Sequence, residues 1–151
     1  MKFGRHLKLR LMNFYPPFIG AGIRIDYMAS DFREVHVSMK LRFWNKNYVN
    51  THYGGSLYSM CDPFFMLMIM QILGRDYIVW DKAANIRFKK PGKGKVRAIF
   101  RITDEDIAKI HQGLKDNDKY EPTFVVDVVN TENEIVCSVE KLLYIKKKKA
   151  S

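Results

Sequence analysis

Nowhere in its 151 residues does the chain carry an uninterrupted apolar stretch of the ~20 residues that a bilayer core requires. The one candidate, ending at Leu73, has Asp62-Pro63 inside it, so no transmembrane helix is expected. Cysteine is scarce. Cys61 and Cys137 offer neither zinc-ligand spacing nor a disulfide framework, and their apolar surroundings suit buried free thiols. The basic start, Met1 to Arg10, runs into Leu11-Met-Asn-Phe-Tyr-Pro-Pro without a long apolar h-region or a small-residue cleavage site, so a cytoplasmic location is expected. Internal repeats, low-complexity linkers and composition shifts are missing too. A single domain over residues 1–151 is expected, with a lead-in helix in 1–17 and a basic tail in 146–151.

What is present suits a packed core: 47% hydrophobic and 13% aromatic residues, enough for one domain of this length. The unusual bulk property is a net charge of +10, from 26 Lys and Arg against 16 Asp and Glu. Part of it lies in Lys146 to Lys149. The field attracts polyanions, phosphorylated cofactors and anionic membranes alike, without choosing among them.

The stretch from Asn47 to Leu73 organises the rest. It opens with polar turn formers and Gly54-Gly55, carries Asp62, and closes on Phe-Phe-Met-Leu-Met-Ile-Met-Gln-Ile-Leu, the longest apolar run. A continuous helix from Ser56 to Leu73 would be about 27 Å long. Being apolar on every side, it must be wrapped by other elements.

Those elements read as follows. Phe3, Leu7, Leu11 and Phe14 fall at helical spacing that Pro16-Pro17 ends. Residues 19–28 have strand character, and Val35 to Phe43 alternate strictly, with His36 on the polar face. A strand over 77–88, the turn Lys89 to Lys95 and a strand over 96–102 read as an antiparallel pair. Thr103 and Asp106 form a capping-box pattern before a short helix marked by Ile107, Ile110 and Leu114. Strands over 123–130 and 135–145 close the chain as a hairpin. The expected class is α+β, an antiparallel sheet of about six strands around one apolar helix.

This order resembles the hotdog fold. Asn47, then Tyr53-Gly54-Gly55, then Asp62 seven residues beyond the second glycine, resembles the active-site segment of hotdog acyl-CoA thioesterases of the phenylacetyl-CoA type. That family places histidine before Gly-Gly; here Tyr53 takes that position and His52 sits one residue early, similar to a branch with an aromatic residue there. The resemblance implies an active site at a dimer interface, in a homodimer or a dimer of dimers, with the glycine end of one chain facing the acid of the other. It also implies coenzyme A held near the lysine-rich turn, and no cofactor besides coenzyme A as part of the substrate.

The chemistry these residue types offer is specific. Helix N-terminal N–H groups at Gly54 and Gly55, approached without side-chain hindrance, suit the oxyanion of a thioester under attack. Asp62 suits a general base or nucleophile, and Asn47 suits holding water or the carbonyl. Gly55 and Asp62 lie about 10 Å apart along a continuous helix, too far to share one carbonyl, which again points to a second subunit. Arg87, Lys89, Lys90, Lys93 and Lys95 around Pro91-Gly92 suit nucleotide phosphates. Tyr53 and His52 border the same place.

Each residue has a plainer reading as well. Asp62-Pro63 is a normal helix start, Gly54-Gly55 an ordinary tight turn, Asn47 and Asn50 loop residues, the lysines a solvated hairpin tip. Met66, Met68 and Met70 suit core or dimer packing as well as an acyl tunnel. Three functions follow in order of expectation: an acyl-CoA thioesterase, a non-catalytic acyl-CoA-binding protein on the same fold, and a basic nucleic-acid module. The last has no Cys/His finger or aromatic-rich strand motif behind it. Dehydratase chemistry is disfavoured because no histidine stands in a Phe-Pro-Gly context.

Overall fold

A computed structural model describes residues 11–148. Phe3 and Leu7 of the expected lead-in helix, and 149–151 of the basic tail, lie outside the described residues. Leu11–Phe14 form one 3₁₀ turn, and helix α1 (Pro16–Ala21) follows. The proline pair therefore opens a helix where the sequence suggested that it closes one. Proline at the first helical positions lacks only an N–H that would be unpaired there anyway, and its fixed φ is already helical.

The chain then forms β1 (Ile23–Met28) and β2 (Glu34–Lys40). Helices α2 (Gly54–Ser59) and α3 (Phe64–Leu73) precede β3 (Tyr77–Phe88) and β4 (Lys95–Arg101). Helix α4 (Asp104–Asp116) leads to β5 (Lys119–Tyr120), β6 (Thr123–Val129) and β7 (Ile135–Lys147). All pairings are antiparallel, in the order β1-β2-β4-β6-β7-β3, with β5 on β7. This is the expected α+β hotdog architecture, a sheet folded around a central helix, with seven strands where about six were counted.

Alternation sets the inner face. Val35, Val37 and Met39 of β2 are buried opposite Phe100, Ala98 and Val96 of β4. Helix α3 drives Phe64 and Phe65 into this surface: Phe64 meets Phe100 at 5.0 Å between ring centroids, and Phe65 stacks on Phe124 of β6 at the same distance. The expected alternation beyond Lys40 stops because Asn45, buried, ties the chain into a turn. Its amide donates to the carbonyls of Ala21 and Lys40 and accepts from the Arg42 N–H, leaving Phe43 82% exposed.

Two further expectations change. The segment read as one helix is divided at residues 60–63, between α2 and α3. By length and composition alone Gly54–Leu73 could cross a bilayer, but Leu57, Met60, Cys61, Phe64, Phe65, Met68 and Ile69 are core residues beneath the sheet. Strands β3 and β4 do not form a hairpin either. β3 pairs with β7, and β4 sits between β2 and β6. The turn between them works as a bridge: Lys89 and Lys90 donate N–H bonds to the Val136 carbonyl, while the carbonyls of Gly92 and Gly94 accept from the His52 and Leu41 N–H groups. Its hydrogen bonds go to three other segments, so the strands on either side diverge.

Candidate active site

The loop before α2 is built by Asn47. Its side-chain oxygen accepts from the N–H groups of Val49 and Thr51, and its amide donates to the Thr51 hydroxyl and the His52 carbonyl. Four bonds commit this amide to shaping the loop. His52 fastens the loop to the lysine-rich turn. It is 3% exposed, its N–H bonds the Gly92 carbonyl, and its Nε2–H donates to the Gly94 carbonyl at 2.9 Å. Burial lowers its pKa below the ordinary 6.5, the Gly94 bond opposing, and Nδ1 is buried without a hydrogen-bond partner among the described residues. The imidazole is therefore neutral at pH 7 and braces the loop. Gly92 is glycine for a packing reason: a Cβ there would lie 3.1 Å from Val136 Cγ1 and 3.2 Å from His52 Cδ2.

Tyr53 is the N-cap residue of α2, which starts with Gly54 and Gly55. Their N–H groups belong to the first turn, which has no intrahelical acceptors. Both glycines are closely covered: a Cβ on Gly54 would meet the Phe88 ring at 3.0 Å, and one on Gly55 the Tyr53 ring at 2.4 Å. Tyr53 is 60% exposed, so its ring is a movable cover.

Two clefts flank the loop. One, of about 640 Å³, is lined by Asn47, His52, Gly54, Phe88, Lys89, Lys90, Pro91, Gly92 and Lys93 among others. The other, of about 710 Å³, is lined by Trp44, Asn47, Tyr53, Gly55, Tyr58 and Ser59 with part of α1. The structure thus joins most of the expected substrate-binding residues in the first cleft and assigns Tyr53 and Gly55 to the second. Arg87 and Asp62 line neither. Lys90 is ion-paired with Glu134.

Asp62 sits in the turn between the two helices. It does not cap α3: the N-cap position is Pro63, with no side-chain cap bond. Instead Oδ1 of Asp62 accepts from the Tyr58 hydroxyl at 2.6 Å and from Lys141 Nζ at 2.7 Å. Lys141, from β7, is fully buried, donates also to the Tyr58 oxygen at 3.1 Å, and lies 3.1 Å from Asp81 Oδ1 of β3. Burial raises the Asp62 pKa, but the hydrogen bonds from Lys141 and Tyr58 outweigh it, and the carboxyl is held below the ordinary 3.8. For Asp81 burial prevails over the attraction of Lys141 and the pKa is raised. Lys141 itself loses from burial and gains more from Asp62 and Tyr58, so its pKa is raised. The result is a carboxylate 45% exposed at the side chain, with a buried ammonium behind it.

Lys141, Tyr58 and Asp81 were not singled out from sequence, yet two of them left a signal. Cys137, Val139, Leu143 and Ile145 occupy alternate positions of β7, and Lys141 falls in that same inward register. Asp81 follows Val79 on the inner face of β3, just before a bulge. A charge in an inward position of a strand requires a partner. Cys61 and Cys137 are free and buried, and burial pushes their thiols up, that of Cys137 to about 12.

Residues 4–145 match the family described as a domain of unknown function, DUF4442. The chain belongs to the DUF4442 family. None of the curated proteins matches it. Among solved structures, this DUF4442 chain is similar to a protein of Pseudomonas aeruginosa titled a probable thioesterase, with 19% identity and a TM-score of 0.79 over 94% of this chain and 95% of that one. It is also similar to a Chlorobaculum tepidum protein of unknown function, at 18% identity and TM-score 0.74, covering 97% and 95% of the two chains. A Haemophilus influenzae thioesterase shares 15% identity and a TM-score of 0.67 over 92% and 88%. These likenesses fix the fold of the DUF4442 chain.

Proposed function

We propose that the protein is an acyl-CoA thioesterase, cleaving an acyl-CoA thioester to the free acid and coenzyme A. The observation that carries this reading is Asp62. A carboxylate that only started a helix would cap it, whereas this one is withdrawn from capping, ionised by a buried lysine and left half-exposed. Such a group takes a proton from water or attacks a thioester carbonyl. The thioesterase names of structural relatives, with the Asn47, Gly54-Gly55 and Asp62 spacing, agree with it.

In this reading Gly54 and Gly55 present N–H groups to the oxyanion once the Tyr53 ring moves, and Asn47 acts by shaping the loop that carries them. Lys89 and Lys93, flanking Pro91 and Gly92, meet the phosphates of coenzyme A, with Arg87 and Lys90 nearby on the same strand end and turn. The site is completed by a second copy of the chain. β3 is the twelve-residue end strand of the sheet and carries exposed Trp80 and Phe88, so a homodimer paired through this edge joins the two sheets and covers it. Coenzyme A enters as part of the substrate only.

A second reading, an acyl-CoA-binding protein without turnover, has the closed position of the Tyr53 ring over Gly55 in its favour. Thiol release from short, long and aromatic acyl-CoA esters by wild type and Asp62→Asn separates the two. Turnover that falls by a factor of roughly 10² or more in the folded variant supports hydrolysis through Asp62. Binding of the esters with no thiol released by either protein supports the second reading.

A further inference from the structure

We propose that Lys141 is the positioning residue of the site: its buried ammonium anchors Asp62 through Oδ1 and leaves Oδ2 as the oxygen that meets water or the thioester carbonyl. This rests on the hydrolase reading and adds a part to it that neither the sequence spacing nor the fold supplies.

The core gives no packing reason for a lysine at this point. Its neighbours two residues away on β7, Val139 and Leu143, are fully buried, and an aliphatic side chain of the same length would fill the space without the cost of burying an ammonium. What the charge does is visible in its contacts. Lys141 Nζ and the Tyr58 hydroxyl both donate to the same oxygen, Oδ1 of Asp62, across 79 and 4 residues of sequence. Among the described residues no protein donor meets Oδ2. Two donors on one oxygen fix the plane of the carboxylate and so the direction of the other oxygen.

The groups that face Asp62 come from three elements. Tyr58 belongs to α2, Asp81 to β3 and Lys141 to β7, with the buried thiol of Cys61 close by. Lys141 is the cation of this set. Asp81, at 3.1 Å, supplies a second negative group that keeps the ammonium in place, and it faces Asp62 across the same cation. Without Lys141, burial and a second carboxyl would act on Asp62 in the same direction, both against ionisation.

The test uses the full chain and follows the Asp62 carboxyl by ¹³C NMR titration, alongside the pH profile of thiol release, in wild type, Lys141→Met, Lys141→Arg and Tyr58→Phe. In Lys141→Met the Asp62 titration and the acid limb of the rate profile are expected to move together to higher pH, by at least about one unit. Lys141→Arg is expected to restore both. Tyr58→Phe, which keeps the buried ion pair and so folds even if Lys141→Met does not, is expected to move both in the same direction by less. An Asp62 titration unmoved in Tyr58→Phe and in folded Lys141→Met overturns the inference, even if Lys141→Met is less stable. An Asp62 titration that moves as expected in a protein that releases no thiol from any ester upholds the anchoring and overturns the hydrolase reading instead.

Discussion

His52 and Asp62 carry opposite burdens, and each has its own pH signature. His52 is a neutral brace whose pKa is lowered in the fold, so its contribution to stability is present above 6.5 and is lost as the pH falls through the lower folded value. The loop should therefore loosen in acid, seen as faster amide exchange at residues 47–53 as the pH falls below 6.5, and His52→Gln should remove that dependence. Asp62 also has a lowered pKa, and its contribution is present above 3.8 and lost as the pH falls through the folded value. Asp62→Asn should flatten the stability profile below about pH 4, measured by urea unfolding at several pH values. The two glycines that touch this region should differ. Gly92→Ala forces a methyl against Val136 and a buried His52, for an expected loss of roughly 1–3 kcal/mol. In Gly55→Ala the nearest atoms to the new methyl belong to the exposed Tyr53 ring, which can swing aside, so a change within about 1 kcal/mol is expected in the same unfolding measurement.

At the scale of elements, the strands and the α4 helix were legible because their signals are local. The alternation of Val35, Val37 and Met39 became the buried face of β2, and Thr103 with Asp106 became a reciprocal capping box, with N–H bonds of 2.8 and 3.1 Å in the two directions. Thr103→Ala should cost α4 about 1 kcal/mol by thermal unfolding. Pairing was not legible in the same way. Nothing local in Lys89 to Lys95 distinguishes a hairpin from a bridge, since the difference lies in its bonds to Leu41, His52 and Val136, each far away in sequence. The break between α2 and α3 had a local sign in Asp62-Pro63, but proline is also normal at a helix start, and only the partners Tyr58 and Lys141 show that the carboxylate is directed away from the helix end. Lys141 was readable as an inward charge on β7. Its partner on the helix turn was not, because strand register says which face a residue takes and not what stands opposite.

For the whole molecule the governing feature is the separation of parts within one chain. The glycine end of α2 is split between two clefts, Gly54 beside the lysine-rich turn and Gly55 beside Tyr53, and Asp62 lines neither. A chain so arranged, with a twelve-residue strand at the end of its sheet, should assemble as a dimer in sedimentation and be inactive as a monomer. The most direct measurement is thiol release by a mixture of two inactive variants, Asp62→Asn and Gly55→Val, unfolded together and refolded as mixed dimers. A site shared between chains leaves each mixed dimer with one intact site and one doubly damaged site, so activity should reappear only in the mixture. A mixture as silent as its two components, with mixed dimers demonstrated, would contradict a site built from Asp62 of one chain and the glycine end of the other.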